Sequence, residues 1–104
     1  MRISPAHAAA VSRKLSDAGI KRAIEIRKGW ETEGYAVEMR DDHVRVEWVP
    51  GLLTDDENAD PNLIRNRLKS CEAALTGYDT RIVDDKVAIS GGWTTRPVLE
   101  VRRA

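Results

Sequence analysis

Apolar and polar residues alternate along residues 34–49, GYAVEMRDDHVRVEWV, and a period of two is typical of a β-strand. With Asp41 and Asp42 as the two turn residues, this stretch forms a hairpin whose apolar side chains share one face. The predicted pairs on that face are Tyr35–Trp48, Val37–Val46 and Met39–Val44. Charged residues occupy the other face, so we expect Arg45 and Glu47 to be exposed.

A second stretch, GYDTRIVDDKVAIS at residues 77–90, repeats the Gly-Tyr start and the Asp-Asp pair of the first. Asp84 and Asp85 are then the turn of a second hairpin over about residues 79–90. Its predicted cross-strand pairs are Ile82–Val87 and Thr80–Ile89. The similarity leaves two interpretations open. One is an internal duplication of a helix–strand–strand unit, and the other is two separate hairpins that share turn residues.

Two helices are each predicted from a capping residue followed by proline, an apolar stripe at helical spacing and a closing glycine. The first covers about residues 5–18, between Ser4-Pro5 and Gly19. The second covers about residues 61–76, between Asp60-Pro61 and Gly77. The stripes consist of Ala8, Val11, Leu15 and Ala18 in the first helix and Ile64, Leu68, Cys71 and Leu75 in the second.

The segment between the first helix and the first hairpin alternates apolar and charged residues, which favours a strand over residues 22–28 beside the hairpin. The same residues could also extend the helix past Gly19. After Gly91-Gly92, Pro97 argues against a central strand, and a short last strand is expected over residues 98–102. The predicted fold class is α+β, with two helices packed on one face of an antiparallel sheet in the order α-β-β-β-α-β-β(-β).

The length of 104 residues predicts a single domain over residues 1–104. The formal net charge is zero, so the whole chain is not biased towards nucleic acid or membrane surfaces. No apolar run is long enough to span a membrane, and the first residues lack the apolar segment of a secretory signal. Cys71 is the only cysteine and cannot form an internal disulfide, so we expect a cytoplasmic protein.

No set of residues has the spacing of a standard metal or catalytic site. Residues 56–60 match the first ligand positions of a calcium loop, but Pro61 stands where that loop needs glycine. Two histidines and one cysteine are too few for a structural zinc site, and His43 is expected to be an exposed residue beside a turn. Cys71 lies on the apolar stripe of the second helix and is expected in the core. We therefore expect no metal, no cofactor and no enzymatic activity.

Basic residues form three doublets along the first helix and the segment after it. These doublets are Arg13-Lys14, Lys21-Arg22 and Arg27-Lys28. On neighbouring elements they could converge into a face that binds phosphate groups. The alternative is a solvated basic face that pairs with the acidic residues of the stretch 31–60.

Three tryptophans supply most of the aromatic surface of the chain. Trp48 lies on the apolar face of the first hairpin and is expected in the core. Trp30 and Trp93 are expected in connections flanked by polar residues. Half-exposed aromatic side chains in such positions are typical anchors of protein interfaces, or they cover the ends of a small core.

Three segments of the chain carry its recognisable local patterns. They are AVSRKLSDAG at residues 10–19, EGYAVEMRDDHVRVEWVPG at 33–51 and EAALTGYDTRIVDD at 72–85. Together they resemble small uncharacterised proteins of actinobacteria and their phages. The shared features are a helix end and hairpins, so the resemblance implies no activity. We expect a non-enzymatic accessory or protein-interaction protein, of the kind that a phage or mobile element encodes, whose partner is another protein or a second copy. The alternative is a nucleic-acid-binding protein that uses the basic doublets, and a small enzyme without a recognisable motif is the least favoured class.

Overall fold

A computed structural model describes residues 5–23, 25–26, 29–30, 33–49, 60–89 and 92–103. The side chains at positions 5, 6, 25, 26, 29, 30 and 89 lie outside the described part. The described elements, in chain order, are α1 (Pro5–Asp17), β1 (Glu25–Ile26), β2 (Gly29–Trp30), β3 (Gly34–Met39), β4 (Val44–Val49), α2 (Pro61–Ala74), β5 (Tyr78–Ile89) and β6 (Gly92–Arg103).

The last four strands form one antiparallel sheet in the order β3-β4-β6-β5, and both helices pack on one of its faces. The predicted α+β class is therefore confirmed. The core consists of Val11, Leu15, Tyr35, Val44, Val46, Ile64, Leu68, Cys71, Leu75, Leu99 and Val101. We call the face of the sheet that the helices leave uncovered the open face. Neither helix is long and apolar enough to cross a membrane, and the described residues contain no other helix.

Both helices begin and end close to the predicted positions. In α2, the carboxylate of Asp60 accepts a hydrogen bond of 2.9 Å from the backbone N–H of Asn62, so the predicted cap is confirmed. The two glycines that follow the helices, Gly19 and Gly77, have φ angles of 83° and 89°. Glycine adopts this left-handed backbone without steric cost, which explains why both helices stop where the sequence indicates.

The first hairpin has the predicted register, in which Tyr35 pairs with Trp48 and Val37 with Val46. Three predictions about its side chains are wrong. Met39 is 45% exposed, because it lies at the turn end of the edge strand β3, along which burial decreases. Glu47 was expected in solvent, but its side chain is only 23% exposed. Arg45 was expected in solvent but is only 3% exposed, for reasons given below.

The predicted second hairpin is wrong. Asp84 and Asp85 lie in the middle of β5, which pairs along its whole length with β6. Ile82 therefore faces Leu99 instead of Val87, and Thr80 faces Val101 instead of Ile89. The β5–β6 ladder is favoured over the predicted hairpin because it pairs apolar residues of the two strands, Ile82 with Leu99 and Val83 with Val98. The two Asp-Asp pairs are not structurally equivalent, although each half of the main fold is a helix followed by two strands.

The last strand is longer than predicted and is central, despite Pro97. β4 pairs with β6 only at Leu99, Glu100 and Val101. At Pro97 the strand has β5 as its single neighbour, so a residue without a backbone N–H is tolerated there. From this point the β5–β6 ribbon leaves the sheet as a two-stranded arm, residues 83–89 and 92–98.

The segment after α1 differs from the predicted strand over residues 22–28. Arg22 forms an isolated parallel bridge with Tyr35, and β1 pairs with β2 instead of with the hairpin. Residues 24, 27 and 28 lie outside the described part. The close approach of this segment to β3 requires glycine at position 34, because a Cβ there would lie 2.5 Å from the backbone of Lys21 and Ala23.

Tyr35 joins the first helix to the sheet. Its ring is fully buried, and its hydroxyl donates a hydrogen bond of 3.0 Å to the backbone carbonyl of Ser12. The hydroxyls of Ser12 and Ser16 each lie 3.1 Å from the hydroxyl oxygen of Tyr35. A buried phenol needs such partners, and here they fix the position of α1 over β3.

The core position of Leu68 generates a stability prediction. Leu68 is fully buried on α2, so the substitution Leu68→Ala should lower the free energy of unfolding by about 2–5 kcal/mol. Leu63→Ala on the same helix is the matched control, because Leu63 is 45% exposed and its replacement should change stability by less than about 0.5 kcal/mol. Urea unfolding measures both values, and equal losses would contradict the placement of the core.

Candidate interaction groove on the open face of the sheet

A row of alternating charges crosses all four strands of the open face. Glu38 of β3 is paired with Arg45 of β4, which is paired with Glu100 of β6, which is paired with Arg81 of β5. Opposite charges on directly opposed residues attract across an antiparallel sheet. The row results from the strand order, because only the insertion of β6 between β4 and β5 brings Glu100 between two arginines.

Arg45 is the buried centre of this face. Its Nε donates a hydrogen bond of 2.9 Å to Oε1 of Glu47, and its Nη2 contacts the same carboxylate oxygen. Its Nη1 donates to Oδ2 of Asp85 at 3.2 Å, and Glu38 Oε2 lies 3.7 Å from Nε. A buried guanidinium is tolerated only when anions and acceptors replace its water, and three carboxylates do so here.

His43 and Arg102 connect the turn of the first hairpin to β6. Nδ1 of His43 lies 2.6 Å from Oδ1 of Asp42, and its Nε2 lies 3.7 Å from Oε2 of Glu100. Arg102 contacts the same two carboxylates, at 3.0 Å from Glu100 and 3.4 Å from Asp42. The hydrogen bond from His43 lowers the pKa of Asp42, and the hydrogen bond to Glu100 raises the pKa of Arg102.

The side chain of His43 is only 14% exposed, so the expectation of an exposed histidine is wrong. Burial follows from its two carboxylate neighbours, which hold the ring against the sheet. Among the described residues, His43 has no hydrogen bond to a serine or cysteine. No group of three or more histidine, cysteine, aspartate or glutamate residues in the described part is arranged to hold a metal ion.

Between this charged surface and the arm lies a groove of about 820 Å³, which we call the open-face groove. Its charged lining balances, since three cations face three anions. The cations are Arg40, Arg45 and Lys86, and the anions are Glu38, Glu47 and Asp85. Ala88 and Trp93 form the wall contributed by the arm. The groove exists because β6 separates from β4 after three residue pairs.

Trp93 is the most exposed large apolar side chain among the described residues, at 71%. It lies on β6 opposite Ala88 and not in a connection, as the sequence had suggested. The strand holds its backbone, so the indole is presented on an ordered element. Trp30, the other tryptophan expected at an interface, has its backbone in β2, and its side chain lies outside the described part.

Four residues of the predicted basic face lie in the described part of the chain. Arg13 lies exposed on α1, and Lys21 and Arg22 lie exposed beside β3. Lys14 already has partners, because its ammonium donates a hydrogen bond of 3.0 Å to the carbonyl of Thr76 and lies 5.3 Å from the ring centroid of Tyr78. Arg27 and Lys28 lie outside the described part.

Cys71 and His7 do not line the open-face groove. Cys71 is buried in the core, where desolvation raises the pKa of its thiol to about 11. His7 is 2% exposed and stacks on Tyr78 with 5.5 Å between ring centroids. Desolvation is the main cause that lowers the pKa of His7, and Arg103 adds to it. Both residues therefore favour their uncharged forms in the folded protein.

The burial of Arg45 generates a second stability prediction. Arg45→Met should lower the free energy of unfolding by about 1–3 kcal/mol, because the carboxylates around it lose their charge-assisted hydrogen bonds. Arg40→Met is the control, since the side chain of Arg40 is 42% exposed and its one carboxylate partner among the described residues is Glu38, at 3.4 Å. An exposed pair of this kind contributes about 0–1 kcal/mol. If urea unfolding gave the same loss for both variants, Arg45 would not be the centre of the open face.

The chain matches no protein-family model, no curated protein and no solved structure. Its function must therefore be inferred from the geometry of its own described residues.

Proposed function

We propose that this chain is a non-enzymatic protein-interaction protein whose open-face groove binds a segment of a partner protein. The observation that carries the proposal is the 71% exposure of Trp93 on the wall of this groove. Covering an exposed indole removes a large apolar surface from water, which is the main favourable term in protein association. Tryptophan and arginine are also the residue types most enriched among side chains that dominate binding energy.

The charges around Trp93 support a protein partner over a polyanion. The groove presents three acidic side chains beside three basic ones, so nucleic acid would meet repulsion from Glu38, Glu47 and Asp85. A protein segment can place opposite charges against both signs.

The state of the reactive side chains supports a non-enzymatic role. A thiol with a pKa of about 11 contains very little thiolate at neutral pH, and Cys71 is also inaccessible in the core. Catalysis by histidine needs a substrate within hydrogen-bond reach, and both ring nitrogens of His43 face carboxylates.

The partner in this proposal is either another protein or a second copy of the chain. A net charge of zero creates no general repulsion between two copies. The balanced groove lining is compatible with self-association, because each sign on one copy can meet the opposite sign on the other. A cytoplasmic location belongs to the same proposal and rests on the single cysteine.

The exposed indole generates the functional prediction. Trp93→Ser should leave the free energy of unfolding nearly unchanged, because the side chain is exposed, but it should abolish partner capture. Wild-type protein, Trp93→Ser and Leu63→Ser are immobilised and exposed to lysate of the native host, and retained proteins are compared by mass spectrometry. Leu63→Ser is the matched control, since it removes an exposed apolar side chain from α2 instead of the groove. Sedimentation equilibrium of the same three proteins tests self-association.

A protein lost with Trp93→Ser and retained with Leu63→Ser, or a dimer that only Trp93→Ser dissociates, would support the proposal. Identical retained sets and identical masses for all three proteins would refute it.

The alternative function, nucleic-acid binding through the basic doublets, generates an opposite expectation. Six phosphate contacts would give a log–log slope of affinity against salt of about −5 on duplex DNA. Because Lys14 is engaged by Thr76 and Tyr78, we expect weak or no binding to random duplex DNA at physiological salt. A mobility-shift titration at two salt concentrations measures this. Submicromolar binding that is lost on charge reversal of Lys21 and Arg22 would replace the protein-partner proposal.

A further inference from the structure

A second cavity, of about 300 Å³, lies on the helix side of the sheet, opposite the open-face groove. It is open to solvent and is lined by the segment after α1, by Glu33 before β3, by one residue of β4 and by α2. The described residues that line it include Ile20, Lys21, Glu33, Trp48, Arg67 and Ser70. Its volume is at the lower end of the range for small-molecule sites. We call it the helix-side cavity.

The floor of this cavity combines a cation with an aromatic ring. The guanidinium carbon of Arg67 lies 5.8 Å from the centroid of the Trp48 ring. A guanidinium that stacks on an indole is held in place. Its N–H groups lie in the plane of the guanidinium and point away from its centre, so they remain free to donate. Those N–H groups can donate two parallel hydrogen bonds to a carboxylate without further ordering of the side chain.

The charges in the cavity lack the partners that the open-face arginines have. Within the described residues, no carboxylate lies within ion-pair distance of Arg67 or Lys21. On the open face, by contrast, Arg40, Arg45, Arg81 and Arg102 each contact at least one carboxylate. Two cations beside one acid, Glu33, give the described lining a net charge of +1. The described lining therefore favours a ligand with a single negative charge.

Trp48 itself carries a buried polar group. Its Nε1 is shielded from solvent, and no described residue accepts a hydrogen bond from it. A buried donor without an acceptor is unusual in folded proteins and costs free energy. Apolar surface is also available, because Ile20 and the indole ring both line the cavity. The site can therefore receive an apolar group next to a charged one.

We propose that the helix-side cavity binds a small monocarboxylate with an apolar group. Arg67 and Lys21 hold the carboxylate, and Ile20 and Trp48 contact the apolar part. A phosphate monoester has the same general chemistry but carries nearly two negative charges, which the acidic side chain of Glu33 disfavours. The cavity and the open-face groove lie on opposite faces of the sheet, so this site does not depend on the proposed partner.

The test uses the full chain with Trp30→Phe and Trp93→Phe, which leaves Trp48 as the single tryptophan and its fluorescence as the readout. The probes are benzoate, phenyl phosphate and benzyl alcohol, which share a ring and differ in charge. We expect a saturable change with benzoate at a Kd on the order of 1 mM or tighter. We expect weaker binding of phenyl phosphate and none of benzyl alcohol.

Arg67→Gln should weaken benzoate binding by about tenfold or more, because it removes the charge-assisted hydrogen bonds. Arg67→Lys keeps the charge without the planar fork and should show an intermediate loss. Circular dichroism checks that each variant folds, and equilibrium dialysis of benzoate repeats the measurement without fluorescence. Arg65→Gln is the matched control, since Arg65 lies on the same helix, contacts Asp84 and does not line the cavity.

A benzoate affinity that falls with Arg67→Gln and not with Arg65→Gln would establish the site. The proposal is overturned if no probe gives a saturable change, if benzyl alcohol binds as well as benzoate, or if Arg67→Gln leaves the affinity unchanged. Preferential binding of phenyl phosphate would show that the anion is a phosphate and would also overturn the carboxylate assignment.

Discussion

The ladder between β4 and β6, only three residue pairs long, is the constraint on which the other features depend. It joins the first hairpin to the second half of the chain and completes the sheet over which both helices pack. Because it ends at Leu99, the β5–β6 ribbon continues alone as an arm, and the space between the arm and β4 becomes the open-face groove. Pro97, two residues before Leu99, is compatible with the short ladder, since a central strand with two full neighbours would not accept it.

Electrostatics stabilises the face that the helices do not cover. An open sheet face normally stays in contact with water, yet Arg45 is almost completely buried there. Its burial requires carboxylates around the guanidinium. Glu47 supplies one from the same strand, and Asp85 supplies another from the arm. The ion cluster therefore holds the arm at a defined distance from β4. Desolvation of the guanidinium offsets part of the attraction within this cluster, whereas removal of one partner leaves the remaining charges uncompensated.

Local chemistry explains which parts of this fold were predictable from the sequence. The helix ends and the first hairpin followed from capping residues, glycines and strict alternation, all of which act over a few residues. The second hairpin failed because Asp-Asp is a weak turn signal, and a ladder with residues 92–103 outcompeted it. Glu38 opposite Arg45 was visible in the predicted register and could have indicated a paired cation. The contribution of Asp85 could not be foreseen, because it depends on the correct partner of β5.

The alternation of β4 links the two candidate sites. Glu47 points into the open-face groove, and the next residue, Trp48, lines the helix-side cavity. Successive side chains of a strand point to opposite faces, so one backbone segment fixes the position of both. Each site also takes a second element from elsewhere, the arm for the groove and α2 for the cavity. Consequently the two sites share β4 but differ in their remaining walls, and we expect a substitution of Trp93 or Arg67 to act on one site only.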